Sequence, residues 1–157
     1  FKVLYINHSI DTRSDQNFSS HSSYINQLSC NIKTMKTKEL EYKQEYDNYD
    51  IIAVDESQFF DDIIEFSKMC ITKNRHLIVA GLSGTYQQTK FGKILDLIPI
   101  ADHVTILKSY CKVCLDKDKK IEFAPFTKKI NHTTNEDIVD IGASNKYIPV
   151  CRKCYNS

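Results

Sequence analysis

The sequence predicts an α/β fold, a parallel sheet followed by a smaller cysteine-bearing lobe, and three observations carry that prediction. Short runs rich in β-branched residues recur between polar clusters, an amphipathic helical stretch separates two of them, and two C-x-x-C pairs mark the C-terminal third. At 157 residues the chain has the length of one domain with a small appendage.

The runs are FKVLYI (1–6), DIIAVD (50–55), RHLIVAG (75–81) and HVTILKSY (103–110), and each reads as a strand buried on both faces. Between the second and third, FFDDIIEFSKMCITKN sets Phe60, Ile63, Ile64, Ser67 and Ile71 at helical spacing. Asp61 and Asp62 open that helix and Lys73 closes it, as the helix dipole prefers. Strand, crossover helix and strand form a βαβ unit, which requires parallel neighbours. Residues 11–49 are polar, and KTMKTKELEYKQEYDNYD reads as a solvated helix. After Tyr110 the texture changes, so the domains are drawn as an α/β domain over 1–109 and a metal-binding lobe over 110–157.

Composition narrows the function classes. Hydrophobic content of 41% and charged content of 26% exclude a disordered polymer, and no apolar run approaches the roughly 20 residues that span a bilayer. Lys plus Arg at 21 against Asp plus Glu at 20 gives a formal charge of +1. A broad basic footprint for nucleic acid is therefore lacking, and a small-molecule ligand is expected. The start FKVLYINHSIDTR has neither the charged nor the apolar region of a signal peptide, so a cytoplasmic protein is expected.

Cys111-Lys-Val-Cys114 and Cys151-Arg-Lys-Cys154 each form a knuckle that can offer two thiolates to one ion. Together they are expected to complete a tetrahedron around zinc, with disulfides or free thiols as the alternative, and such a closed zinc site is structural. Cys30 and Cys70 have no cysteine near them in sequence and read as buried, inert thiols. The acid pair Asp55-Glu56 falls at the carboxyl end of a predicted strand, where open parallel sheets bind ligands. A hydrophobic run ending in Asp also follows magnesium in nucleotide enzymes. The alternative is a solvated acid pair at the start of a helix; the adjacent Gln58, Phe59 and Phe60 favour a site, because a carboxylate beside aromatic walls suits a general base facing a flat ligand. GLSGTYQQTKFG (81–92) fits no phosphate-loop spacing but can present Leu82, Tyr86 and Phe91 to a ligand. Asp11-Thr12-Arg13 follows the first strand; its Arg can clamp phosphate or form a surface ion pair. The five histidines receive no role.

Taken in order, D-T-R, D-E-S-Q-F-F, G-L-S-G-T-Y-Q…F-G, C-K-V-C, F-T-K-K, I-G-A-S-N-K-Y and C-R-K-C-Y resemble the thymidine kinases of the cytosolic, type II family. The resemblance implies a RecA-like, P-loop-type parallel domain that binds ATP, joined to a small zinc-bearing lasso domain over thymidine. It implies transfer of the γ-phosphoryl group of ATP to the thymidine 5′-hydroxyl. Glu56 matches the general base, Asp55 the acid associated with Mg2+, and Asp11 and Arg13 positions near magnesium and the phosphates. Phe59, Leu82, Tyr86 and Phe91 match positions lining the thymine and sugar pocket, with Tyr86 in place of a frequent phenylalanine. Thr127 matches a position near the thymine 5-methyl group, and Ile141, Gly142 and Tyr147 belong to the base-reading lasso; Asp140 stands where a more apolar residue is common. The resemblance further implies dTTP as feedback inhibitor and a homotetramer, with a homodimer as the alternative. The family's G-x-x-x-x-G-K-[ST] loop lies upstream of its first strand seen here and has no match in this sequence, which reads as a truncated chain. The rival expectations are a zinc-knuckle nucleic-acid-binding module or an inactive nucleoside-binding paralogue.

Overall fold

Four parallel strands position the candidate site. The computed structural model describes residues 1–11, 31–130 and 146–157. Strands β1 (Val3–His8), β2 (Ile32–Thr37), β3 (Ile51–Val54) and β4 (His76–Val79) lie in the order β2-β1-β3-β4, every neighbour parallel. Helix α1 (Ile63–Thr72) supplies the crossover from β3 to β4, as its apolar spacing predicts.

One face of this sheet forms the core. Leu4, Ile6, Ile52 and Val54 project from it and are at most 1% exposed, and they cluster with Phe60, Ile63, Phe66 and Cys70. The other face is half-open: Val3, Tyr5, Ile51 and Ala53 are only partly buried and Ile78 is 50% exposed. The expectation of strands buried on both faces is corrected here, because α1 covers one face and the apolar runs carry enough side chains for two.

Helix α1 keeps Ile63, Phe66, Ser67 and Cys70 inside, whereas Ile71, expected on the buried face, is 53% exposed. Asp62 stands at the helix N-cap, and its carboxylate accepts the Leu40 N–H at 2.5 Å, tying the helix start to the segment after β2. At the far end Asn74 adopts a left-handed conformation (φ 53°), and the Arg75 N–H reaches the Cys70 carbonyl at 2.9 Å, closing the last turn. Cys70 is fully buried, and burial pushes its thiol up to about 11, which makes it inert as expected.

Two further expectations change. The stretch read as a solvated helix holds β2 and a 3-10 turn at Gln44–Asn48. Met35 of β2 packs on the core while Lys33 is exposed, so the strand is a lysine-bearing sheet edge. Within HVTILKSY only Ser109–Tyr110 form a strand, β5, and Val104, Ile106 and Leu107 are 52%, 77% and 88% exposed. Strand propensity is present there, but among the described residues no strand pairs with 103–108.

The chain divides into two compact units, Phe1–Ser83 with Phe91–Ile100, and Gly84–Lys90 with Ala101–Ser157. The second unit contains α2 (Lys112–Asp118), β6 (Phe123–Ala124) paired with β5, the antiparallel pair β7 (Phe126–Lys129) and β8 (Tyr147–Val150), and α3 (Arg152–Asn156). No helix among the described residues is long and apolar enough to cross a membrane.

The core assignment predicts that Phe60→Ala, at a side chain 1% exposed, lowers urea-unfolding stability by about 3–5 kcal/mol. In the same experiment Cys70 is expected to resist iodoacetamide in native buffer and to react in urea; labelling in native buffer would contradict its burial.

Candidate active site and metal centre

The acid pair sits where the sheet ends. The Asp55 N–H donates to the Ile6 carbonyl at 2.9 Å, extending the β1–β3 ladder by one residue, and the chain then turns sharply. Glu56 takes the left-handed conformation (φ 51°, ψ 37°), which costs a non-glycine residue about 1–2 kcal/mol. Such strain is held only where neighbours over-determine it, and it collects at functional sites. Here the neighbours are identifiable. The Ser57 N–H donates to the Ala80 carbonyl at 3.0 Å, and the 3-10 turn Ser57–Phe59 returns the chain to Phe60 in the core.

Gln58, 4% exposed, is the pivot of the turn. Its Nε2 donates to Glu56 Oε2 at 2.7 Å and its Oε1 accepts the Leu82 N–H at 2.9 Å. Two glycines make room for it. A Cβ on Gly81 would stand 2.6 Å from Gln58 Oε1, and one on Gly92 would strike the Gln58 carbonyl, with Gly92 itself at φ 57°. The glycines of 81–92 thus serve close packing against Gln58; Gly84 instead lies in a bridge with Lys90.

Asp55 is held at both oxygens: Oδ1 accepts the Glu56 N–H at 2.8 Å and Oδ2 accepts the Tyr5 hydroxyl at 2.6 Å. Aromatic rings pack together around Phe59, whose N–H donates to the Glu56 carbonyl at 3.1 Å. Phe59 meets Phe91 edge-on at 5.4 Å between ring centroids, and His8 packs against Phe59 at 5.7 Å and Phe60 at 4.6 Å. Burial lowers the His8 pKa, although a hydrogen bond with the Lys38 backbone pulls the other way. Its Nδ1 accepts the Ile10 N–H at 3.1 Å, so the neutral ring carries its proton on Nε2. Phe59 is half-buried and Phe60 is buried in the core; Leu82 is 54% exposed. Asp11 is 2% exposed and accepts the Asn7 side-chain amide at 3.0 Å. Arg13, Ile141, Gly142, Asp140 and Cys30 lie outside the described residues.

In the second unit the two cysteine pairs converge. The Sγ atoms of Cys111, Cys114, Cys151 and Cys154 all lie within 4.8 Å of one another, with Cys114 at 3.5 Å from Cys154 and 3.8 Å from Cys151. Zinc–sulfur bonds of about 2.3 Å place the corners of a tetrahedron about 3.8 Å apart, so the four thiols fit a zinc ion. Each pair is built the same way. Cys111 precedes α2 and Cys151 precedes α3, and the Leu115 and Tyr155 N–H groups return to the Cys111 and Cys151 carbonyls at 3.0 and 2.9 Å. Burial opposes ionisation of Cys111, but hydrogen bonds from the backbone and thiols of Cys114 and Cys151 outweigh it and bring the thiol down to about 6. Cys114 is pushed up to about 12, first by its hydrogen bond with Cys154. Thiol protons leave when a metal binds such a site.

The same unit gathers three predicted substrate positions. Thr127 and Lys129 project from one face of β7, Tyr147 is the register partner of Lys129, and the Tyr86 ring lies 5.8 Å from that of Tyr147. The Lys129 ammonium stands 5.5 Å over the Tyr86 ring. Tyr155, next to the last zinc-site cysteine, donates its hydroxyl to the Tyr86 carbonyl at 2.8 Å. Tyr5, His8, Gln58 and Tyr155 gain their partners only in the fold. The role of Gln58 depends on Leu82, Gly81 and Gly92, which are distant in sequence and meet it only in the fold.

A family model described as thymidine kinase matches residues 1–155. The chain belongs to the thymidine kinase family. It is 37% identical over 157 residues to thymidine kinase 1 of Dictyostelium discoideum, covering 99% of this chain and 65% of that protein. It is 37% identical over 161 residues to a thymidine kinase of Choristoneura fumiferana entomopoxvirus, covering 98% of this chain and 80% of the relative. With the cytosolic thymidine kinase of Homo sapiens the identity is 33% over 157 residues, 99% of this chain and 61% of the human protein. The chain thus spans somewhat under two thirds of the first and last of these.

The four-thiolate geometry predicts that cobalt(II) added to metal-free protein gives the absorption of a tetrahedral sulfur site, and that Cys114→Ser weakens and alters it. Because binding displaces thiol protons, metal affinity should fall as pH falls, with net proton release in a weakly buffered titration. Binding without proton release would contradict the site.

Proposed function

We propose that this chain is the catalytic part of a thymidine kinase, transferring the γ-phosphoryl group of ATP to the 5′-hydroxyl of thymidine. The observation that carries the reading is the Glu56 carboxylate, fixed by Gln58 at 2.7 Å, at the carboxyl end of a parallel sheet and beside the Phe59–Phe91 pair. Membership in the thymidine kinase family supports it.

Phosphoryl transfer asks for positioning and charge stabilisation more than for covalent chemistry by the protein. In this reading Glu56 accepts the proton of the 5′-hydroxyl as the new oxygen–phosphorus bond forms, and ADP departs with the electrons of the broken bond. Asp55 is the carboxylate for magnesium. Its donor chemistry suits that ion, which keeps several waters and takes one or two carboxylates with the substrate phosphates. Bound magnesium would neutralise charge on the phosphates. Asp11 and Arg13 are assigned to the same phosphate region, with Arg13 offsetting charge on the transferring group. Phe59, Leu82 and Phe91 are assigned to nucleoside contacts, and Tyr86, Thr127, Ile141, Gly142 and Tyr147 to recognition of thymine. Zinc at the four cysteines would be structural. A RecA-like architecture, domains drawn at 1–109 and 110–157, a cytoplasmic homotetramer and inhibition by dTTP complete the proposal.

The test is steady-state phosphorylation of labelled thymidine by full-length protein with ATP and magnesium. Glu56→Gln is expected to lower kcat by about 10²–10⁴-fold, the range for loss of a general base, while thymidine affinity changes little. Unchanged turnover would remove Glu56 from the role.

A further inference from the structure

The hydrogen bond between Tyr5 and Asp55 joins a residue in the middle of β1 to the acid beyond the end of β3, and the sheet explains how. Tyr5 is the register partner of Ala53, so both side chains project from the same face, and Asp55 follows two residues on from Ala53 on that face. Two residues of strand span about 6.6 Å, a distance that a tyrosine leaning along the strand can cover. Ala53 is small enough to let the ring lie across it. This face is the half-open one, so the ring reaches Asp55 without displacing the core.

We infer that Tyr5 is a positioning residue for the metal-facing carboxylate: its hydroxyl, with the Glu56 N–H, fixes Asp55 in one orientation and thereby sets the protein's affinity for the divalent cation that accompanies ATP. The inference rests on the kinase reading for the role of Asp55. A carboxylate with a donor on each oxygen, at 2.8 and 2.6 Å, keeps one rotamer and one remaining lone-pair direction per oxygen. Without the phenol, Oδ2 is free to rotate, and the ion or its waters meet an acid that must first be ordered. Partners of metal-binding groups at this remove commonly alter affinity by about 10–100-fold. Tyr5 does not touch substrate in this scheme, so its loss should leave nucleoside binding alone.

The experiment compares full-length protein with Tyr5→Phe, which keeps the ring and removes only the hydroxyl. Binding of manganese(II) in the presence of ATP, followed by electron paramagnetic resonance, is expected to weaken by about 10-fold. The magnesium concentration giving half-maximal turnover should rise in parallel, with the thymidine KM unchanged. In the Asp55→Asn background the same substitution should add no further loss, since the two residues act as one unit. Manganese affinity equal to that of the parent, or an equal loss with Asp55 already replaced, would overturn the inference. If the parent protein fails to phosphorylate thymidine at any magnesium concentration, the kinase reading falls, and the manganese comparison still decides the role of Tyr5.

Discussion

The buried amide of Gln58 is the constraint on which the geometry of the acid site depends. A primary amide 4% exposed must satisfy both its donor and its acceptor inside the protein, or cost about 1–3 kcal/mol for each group left unmade. It does so with Glu56 on one side and the Leu82 N–H on the other. Several sequence choices follow from that requirement. Gly81 and Gly92 must lack side chains, Glu56 must accept a left-handed backbone, and β4 must end close enough for Leu82 to donate. The acid is therefore aimed by core packing rather than by a flexible surface loop.

The second unit follows a parallel logic with a different fastener. Its elements are short, with strands of two to four residues and helices of five and seven. Among the described residues its cluster of buried residues is Cys111, Ala124 and Val150. So small an apolar cluster offers little to offset the entropy of ordering the unit, and the four converging thiols could hold a metal ion whose binding would contribute to folding. Tyr155 then passes that order from the cysteine pair to Tyr86 through one hydrogen bond.

The legible parts of this protein were those fixed by local pattern. The βαβ unit is legible because α1 carries a helical period between two β-branched runs, and the convergence of the four cysteines because C-x-x-C spacing is itself the signal. Strand β2 is not legible because IKTMKT lacks a long apolar run, and its assignment comes from pairing with β1, a contact invisible along the chain. The run 103–108 shows the converse, strand propensity without a partner among the described residues. Beside the acid pair, the burial of Phe60 is legible from its helical spacing with Ile63 and Ile64. The contact of Tyr5 is not, because only the register opposite Ala53 brings a mid-strand phenol to Asp55.

Whether Gln58 holds Glu56 where it can take the proton from a nucleoside hydroxyl is decided by a crystal structure of the full-length protein with thymidine bound. The 5′-oxygen is expected about 2.6–3.2 Å from a Glu56 carboxylate oxygen, with the Gln58–Glu56 hydrogen bond intact and Phe59 against the nucleoside. A bound thymidine whose 5′-oxygen meets a different group, with Glu56 turned to solvent, would contradict it.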